Sequence, residues 1–124
     1  MQLANYLFFT TTCEPALAFY TQCGLGHASV VSRHEAGPLR GKIQHAKFEG
    51  PGVLFYASDN DDAEPMRGSA HFLVVDSRAQ TAQLFTQLAA GGTITTPLGM
   101  QPWGSYYGKL TDRFGVQWML ASAV

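Results

Sequence analysis

The sequence predicts an α+β fold in which two βαβββ modules form a curved mixed sheet with the helices on the outside. The order strand, helix and three strands is predicted twice along the chain. The pair Thr21-Gln22 recurs as Thr86-Gln87, 65 positions later (86 − 21). The same offset places Asn5–Thr10 on Ala70–Val75, so that strand falls on strand. Two helices and two strands that share one offset indicate an internal repeat.

Length and composition favour one globular domain. The 124 residues are 46% hydrophobic and 14% charged, a balance that supports a packed core and argues against disorder. We expect a single domain over 1–124, made of modules 1–62 and 68–124. The formal net charge of −1 and the scattered basic residues argue against nucleic-acid and anionic-membrane partners.

The first module is predicted as one helix and four strands. The helix stripe has members spaced i, i+3, i+4 and i+7, and it consists of Ala16, Phe19, Tyr20 and Cys23. Gly24 is a natural helix stop, and Thr11-Thr12-Cys13 holds the candidate N-caps. The four predicted strands are Tyr6–Thr10, Ala28–Arg33, Lys42–Phe48 and Val53–Ala57.

The second module follows a polar connector, Ser58–Gly68. Ser77 and Gln80 have capping-box spacing at the start of its helix, and Gly91-Gly92 ends it. The predicted buried stripe of that helix consists of Ala82, Phe85, Leu88 and Ala89. The predicted strands are Ala70–Val75, Thr93–Thr96, Tyr106–Thr111 and Gln117–Leu120.

Cellular location is inferred from the cysteines and the N-terminus. Cys13 and Cys23 lie at opposite ends of the predicted helix, ~15 Å apart at the usual helical rise, which is too far for a disulfide. Free thiols fit a reducing cytoplasm. The opening residues lack the basic region of a signal peptide, and every apolar run is far shorter than the ~20 residues of a membrane span. We therefore expect a cytoplasmic protein.

Several motifs together resemble a known group. The segment YLFFTTTCEPALAFY followed by CGLG, the strand Gln44-His45-Ala46 and the run Leu88–Gly92 match it. The longest match is WGSYYGKLTDRFGVQWML, Trp103–Leu120. These features are similar to the PhnB-like branch of the vicinal-oxygen-chelate superfamily, which includes glyoxalases and bleomycin-resistance proteins. The resemblance covers nearly the whole chain and departs at Arg113, where the group usually has proline.

The resemblance implies a divalent metal held by His, Glu or Gln side chains. We align the chain with this group on Phe19-Tyr20 and on the predicted last turn, Asp112–Gly115. The four metal-ligand positions then fall on residues whose side chains are poor donors, namely Asn5, Phe55, Ala70 and Met119. Alanine and phenylalanine cannot ligate, methionine prefers soft metals and asparagine is a weak donor. We therefore predict no metal and no other cofactor at this place. A slip of one residue would put His71 at the third position but would also swap the strand face.

Candidate site residues come from the matching motifs and from side-chain chemistry. Trp103 and Tyr107 offer flat surfaces with a polar handle, although plain packing explains them equally well. His45 belongs to the matching strand motif, and Asp59 ends a strand as in that group. The predicted ligand-binding set is His45, Phe55, Tyr56, Asp59, Trp103 and Tyr107. No catalytic residue is assigned, and the sheet faces of His45 and His71 are left open.

The acidic run Asp59-Asn60-Asp61-Asp62 is interpreted as a solvated connector. It lacks the glycine and the distal glutamate of an EF-hand calcium loop. The chain also contains no P-loop and no G-x-G-x-x-G or G-x-S-x-G motif, so these chemistries have no support.

Three functions compete at this point. The first is a small-molecule-binding protein without the usual metal. The second is a lyase, isomerase or dioxygenase of the superfamily type, with a metal at a non-standard position or with metal-free acid–base work by His45 and Asp59. The third is a structural or interaction role as a dimer. Whether the chain is an enzyme stays open, and a homodimer is expected under each function.

Overall fold

The computed structural model of the chain describes residues 1–123, with two helices and eight strands. In chain order the elements are β1 (Asn5–Phe9), α1 (Cys13–Gln22), β2 (His27–Arg33), β3 (Ile43–Gly50), β4 (Val53–Asp59), β5 (His71–Val75), α2 (Arg78–Ala89), β6 (Thr93–Met100), β7 (Tyr106–Thr111) and β8 (Gln117–Ser122). The chain divides into two compact units, unit 1 (Met1–Glu64) and unit 2 (from Pro65 onward). The predicted α+β fold of two βαβββ modules is confirmed.

Each unit contains a four-stranded mixed sheet. The strand order is β1-β4-β3-β2 in unit 1 and β5-β8-β7-β6 in unit 2. In both sheets the first pair is parallel and the other two pairs are antiparallel. The helix follows the first strand of each unit, so the second unit repeats the topology of the first.

The repeat has two offsets rather than one. The N-caps of the helices, Thr12 and Ser77, are 65 residues apart (77 − 12), but β5 starts 66 residues after β1 (71 − 5). The single predicted offset was therefore wrong for the strands. Because side chains alternate between sheet faces, this one-residue difference exchanges the face assigned to each residue.

Several strands extend beyond their predicted bounds. β4 continues to Asp59 and β8 to Ser122, so the connector begins after Asp59. β6 runs to Met100 and includes Pro97. Proline has no N–H to donate to a neighbouring strand, but β6 is an edge strand of its sheet, where this absence is tolerated.

The core of unit 1 lies between α1 and one face of the sheet. All four members of the predicted α1 stripe are buried. Tyr20 meets the rings of Phe48 and Phe55 edge-on, at centroid distances of 6.3 and 6.0 Å. Phe48 and Phe55 are register partners on adjacent strands and stack at 4.8 Å. Gly24 ends the helix with φ of +83°, as predicted.

The core of unit 2 lies under α2. Ser77 is the N-cap and accepts a hydrogen bond from the Gln80 N–H, which confirms the predicted cap. The buried stripe is Thr81, Phe85 and Leu88, whereas the predicted Ala82 and Ala89 are half-buried. The Thr81 hydroxyl donates to the Ser77 carbonyl at 2.7 Å, so a threonine enters the core with its polar group satisfied.

Gly108 marks a close approach of β7 to α2. A Cβ at this position would lie 2.7 Å from the Phe85 ring and 2.9 Å from the Leu98 Cα. Glycine is required here because any side chain would displace the helix from the sheet.

Candidate functional site

Four rings lie together on the face of the unit 1 sheet that points away from α1. They are Tyr6, Phe8, His45 and Tyr56, and we call this set the ring face. The His45 ring lies 5.5 Å from that of Tyr56 and 5.6 Å from that of Tyr6, with the planes within 20° of parallel. Tyr6 is also 6.2 Å from Tyr56 and 4.9 Å from Phe8. Such near-parallel, offset rings attract each other modestly beyond their burial.

Strand register builds the ring face. Tyr6 pairs with Tyr56 and Phe8 pairs with Ser58 across the parallel β1–β4 ladder. Paired residues project from the same face of a sheet. Phe55, which precedes Tyr56, packs under α1, so Tyr56 and its partner Tyr6 point the other way. The ring contacts of His45 place it on this face as well, which settles the orientation that the sequence left open.

The ring face carries a polar pair. The Tyr6 hydroxyl and His45 Nδ1 share a hydrogen bond of 2.8 Å. Tyr6 is 37% exposed and Phe8 is 45% exposed, so the rings are accessible from one side. The face therefore offers exposed ring surface together with a hydrogen-bonded tyrosine–histidine pair.

An open cleft of about 440 Å³ adjoins the ring face within unit 1. Tyr6 and Phe8 form its aromatic wall. Its aliphatic lining is Ala36, Pro38 and Leu39, and its polar lining is His34, Gln44, Ser58, Asn60, Asp61 and Asp62. This volume is within the usual range of small-molecule sites, and the mixed lining is typical of them. The run interpreted as a solvated connector thus supplies three of the cleft residues.

Two of the sequence-predicted site residues lie on the opposite side of the sheet. Phe55 is 3% exposed and belongs to the aromatic core under α1. Asp59 is fully buried, and its Oδ1 accepts a hydrogen bond of 2.9 Å from the Cys13 N–H. Asp59 therefore caps α1 from the end of β4, and Thr12, the positional N-cap, makes no side-chain cap bond. A ligand on the ring face would not touch either side chain.

Burial also determines the reactivity of Cys13. The pKa of the Cys13 thiol is raised to about 12. Burial is the largest cause, and the negative charges of Asp59 and Glu14 add to it. Because the nucleophile is the thiolate, a pKa of about 12 leaves roughly one Cys13 in 10,000 ionised at pH 8. Both cysteines are free and buried, as the sequence predicted.

We expect Cys13 to resist thiol reagents in the folded protein at pH 8. In a Cys23→Ala variant, a disulfide-exchange reagent should label Cys13 only after urea is added. A Cys13→Ala variant reports Cys23 in the same way and serves as the matched comparison. Stoichiometric labelling of folded Cys13 within minutes would contradict the burial described here.

Trp103 and Tyr107 belong to unit 2. Trp103 lies in the turn between β6 and β7 and is 66% exposed. Its ring lies 5.6 Å from the half-buried Tyr107, at an angle of 62°. The six residues predicted to bind a ligand thus lie in three separate places. His45 lies with Tyr56, Trp103 lies with Tyr107, and Phe55 and Asp59 lie under α1. The role predicted for Trp103 and Tyr107 stays a prediction.

His71 occupies a structural position in unit 2. It pairs with the buried Trp118 on β8, and the two rings lie 5.0 Å apart. Burial lowers the pKa of His71, and the charge of Asp112 partly opposes that shift. These contacts are those of a histidine in the wall of a core.

The donor atoms do not fit the metal that the family resemblance implies. Two of the aligned ligand positions, Asn5 and Phe55, are register partners on the α1 side of the sheet, and Phe55 has no donor. Met119 pairs with the exposed Phe72 on the open face of the unit 2 sheet. Within residues 1–123, no group of three or more His, Cys, Asp or Glu side chains converges to hold an ion. The ring face presents a single imidazole.

Sequence reasoning missed Tyr6 and Phe8. The strand reads NYLFF, in which every residue after Asn5 is apolar or aromatic, so alternation did not reveal which side chains face the core. The alignment that placed a ligand position on Asn5 was one residue from Tyr6. The available signal was the spacing of Tyr6 and Phe8, two residues apart, beside a second tyrosine on β4.

The two repeated βαβββ units indicate the class of protein to which the chain belongs. A family profile described as the Glyoxalase/Bleomycin resistance protein/Dioxygenase superfamily matches residues 2–120. The chain belongs to this superfamily. Over residues 1–123, no helix has the length and apolar character needed to cross a membrane.

Particular relatives resemble the chain over nearly its full length. The crystal structure of protein PA1353 from Pseudomonas aeruginosa has a TM-score of 0.86 and 35% identity, covering 98% of this chain and 97% of that one. A Bacillus cereus structure described as a putative 3-demethylubiquinone-9 3-methyltransferase, PhnB protein, has a TM-score of 0.85 and 28% identity. The match covers 99% of this chain and 100% of that one. Protein YjdN of Escherichia coli K12 is 29% identical over 140 residues, a match that covers 97% of this chain and 94% of YjdN. The chain is therefore PhnB-like, as its motifs indicated.

Proposed function

We propose that unit 1 binds a small planar molecule against the ring face and in the adjoining cleft. The observation that carries this proposal is the accessible array of four rings whose members Tyr6 and Phe8 also form a wall of the cleft. A flat apolar ligand would cover ring area that is now in contact with water. Covering such area is favourable by roughly 25 cal/mol per Å².

Polar groups around the rings would orient the ligand. The Tyr6–His45 hydrogen bond holds both polar atoms in place on the face. Ser58 is nearly fully buried and donates to Asn60 Oδ1 at 2.7 Å, so Asn60 is fixed at the rim of the cleft. Of the residues predicted from the sequence, His45 and Tyr56 remain in the proposed site.

Truncating one exposed ring tests the proposal. We expect Phe8→Leu to weaken binding of an aromatic probe, 2-phenylethanol, by about three- to ten-fold, because a ring contact contributes roughly 0.5–1.5 kcal/mol. The measurement is NMR titration of the folded protein. Phe72→Leu is the matched control, since Phe72 is 57% exposed on a strand of unit 2 and undergoes the same truncation. Equal affinities for the two variants would count against the ring face.

The enzymatic alternative has less support. A metal-free enzyme would need Asp59 as an acid–base group, but Asp59 is buried under α1 and accepts a hydrogen bond from the Cys13 N–H. Its metal-dependent form needs converging donors, which the ring face does not supply. A binding function requires only the surface that the rings and the cleft provide.

We further propose that the protein is a homodimer in the cytoplasm. Family resemblance and the general prevalence of symmetric pairs support the dimer, and the two free, buried cysteines support a reducing compartment. Light scattering coupled to size-exclusion chromatography tests the first statement, where a monomer at micromolar concentration is the contrary result. Cell fractionation tests the second.

A further inference from the structure

We infer that the cleft of unit 1 selects an organic cation in which an aromatic ring carries a primary ammonium group on a short alkyl chain. This inference rests on the proposed function and adds the charge of the ligand to it. The site is the cleft with its aromatic wall. The chemistry of the remaining lining determines which aromatic molecules it prefers.

The aromatic wall itself favours positive charge. Tyr6 and Phe8 line the cleft, and the face of an aromatic ring is electron-rich. A cation held over such a face gains roughly 0.5–1 kcal/mol at an exposed site. A carboxylate in the same place would be repelled by the ring.

The polar lining is rich in acceptors. His34 Nε2 lies 2.8 Å from the Asp59 backbone oxygen. Because a carbonyl oxygen only accepts, His34 Nε2 is the donor in this hydrogen bond. Asp61 and Asp62 add two carboxylates at the rim, and neither lysine nor arginine lines the cleft. Among the residues described, the ion pairs join Arg33 to Glu14 and Lys47 to Glu49, so neither rim carboxylate is neutralised by an ion pair.

Three probes of the same shape separate charge from ring stacking. They are 2-phenylethylamine, which is a cation at pH 7, neutral 2-phenylethanol, and the 3-phenylpropionate anion. We expect the amine to bind about ten-fold more tightly than the alcohol and the anion to bind most weakly. Raising the salt concentration should weaken binding of the amine more than binding of the alcohol, because salt screens exposed charges.

Charge-removing variants locate the effect. Asp61→Asn and Asp62→Asn should each weaken amine binding about three-fold, which is the size expected for an exposed charge pair, and should leave alcohol binding unchanged. Asp76→Asn, at an exposed position in unit 2, makes the same change in charge and should alter neither. All variants are compared by NMR titration of the full chain.

The outcomes distinguish this inference from the proposed function. If the alcohol and the amine bind equally at the ring face, or if the two rim variants match Asp76→Asn, the charge preference is overturned and the proposed function stands. If none of the three probes binds, both are overturned. Selective loss of amine affinity in the rim variants supports the inference.

Discussion

Replacing Asp112 with alanine is expected to destabilise the protein by about 3–5 kcal/mol. Asp112 is 3% exposed, and its carboxylate accepts hydrogen bonds from the Phe114 and Val116 N–H groups and from Trp118 Nε1. Alanine would leave three donors without this acceptor, two of them in buried contacts. Each buried unsatisfied group costs roughly 1–3 kcal/mol. Urea unfolding followed by tryptophan fluorescence measures the change.

Asp112→Asn separates shape from charge in this turn. Asparagine keeps one oxygen acceptor in the same place, so we expect roughly half the loss of the alanine variant. Asp76→Asn, at an exposed position, is the control and should stay within about 0.5 kcal/mol of the wild type. A loss below 1 kcal/mol for Asp112→Ala would show that the turn does not depend on the carboxylate.

Replacing Asp59 with alanine should cost about 2 kcal/mol. The variant removes the acceptor for the Cys13 N–H at the start of α1, and losing a helix cap costs roughly 0.5–2 kcal/mol. A void in the core adds to this loss. Asp59→Asn keeps an oxygen for the Cys13 N–H and should lose less than half as much. Urea unfolding measures both variants.

The Asp59 variants should also change Cys13. The charge of Asp59 is the second cause of the raised thiol pKa, after burial, so removing it should lower that pKa and speed labelling at pH 9. Asp61→Asn, which removes a charge from the cleft rim, is the control. If Asp59→Ala and Asp61→Asn unfold at the same urea concentration, Asp59 does not stabilise α1.

The sequence predicted the elements because each carries a local signal. The α1 stripe, the Ser77 cap and the glycines that end the helices act within a few residues, and all are confirmed. The turn at Asp112 is local in the same way. Its bonds to Phe114 and Val116 span two and four residues.

The site was harder to predict because it depends on strand register. Tyr6 and His45 are 39 residues apart, and Cys13 and Asp59 are 46 apart. In a strand with apolar side chains on both faces, composition does not distinguish the core side from the open side. The predicted set therefore included Phe55 and Asp59, which lie on the α1 side of the sheet, and left out Tyr6 and Phe8.

We propose above that the ring face of unit 1 is a binding surface. The most direct test is a two-dimensional NMR titration of the full chain with 2-phenylethylamine and 2-phenylethanol, observing aromatic side chains. We expect the largest shifts at Tyr6, Phe8, His45 and Tyr56. Shifts confined to Trp103 and Tyr107, or no saturable shift with either probe, would contradict it.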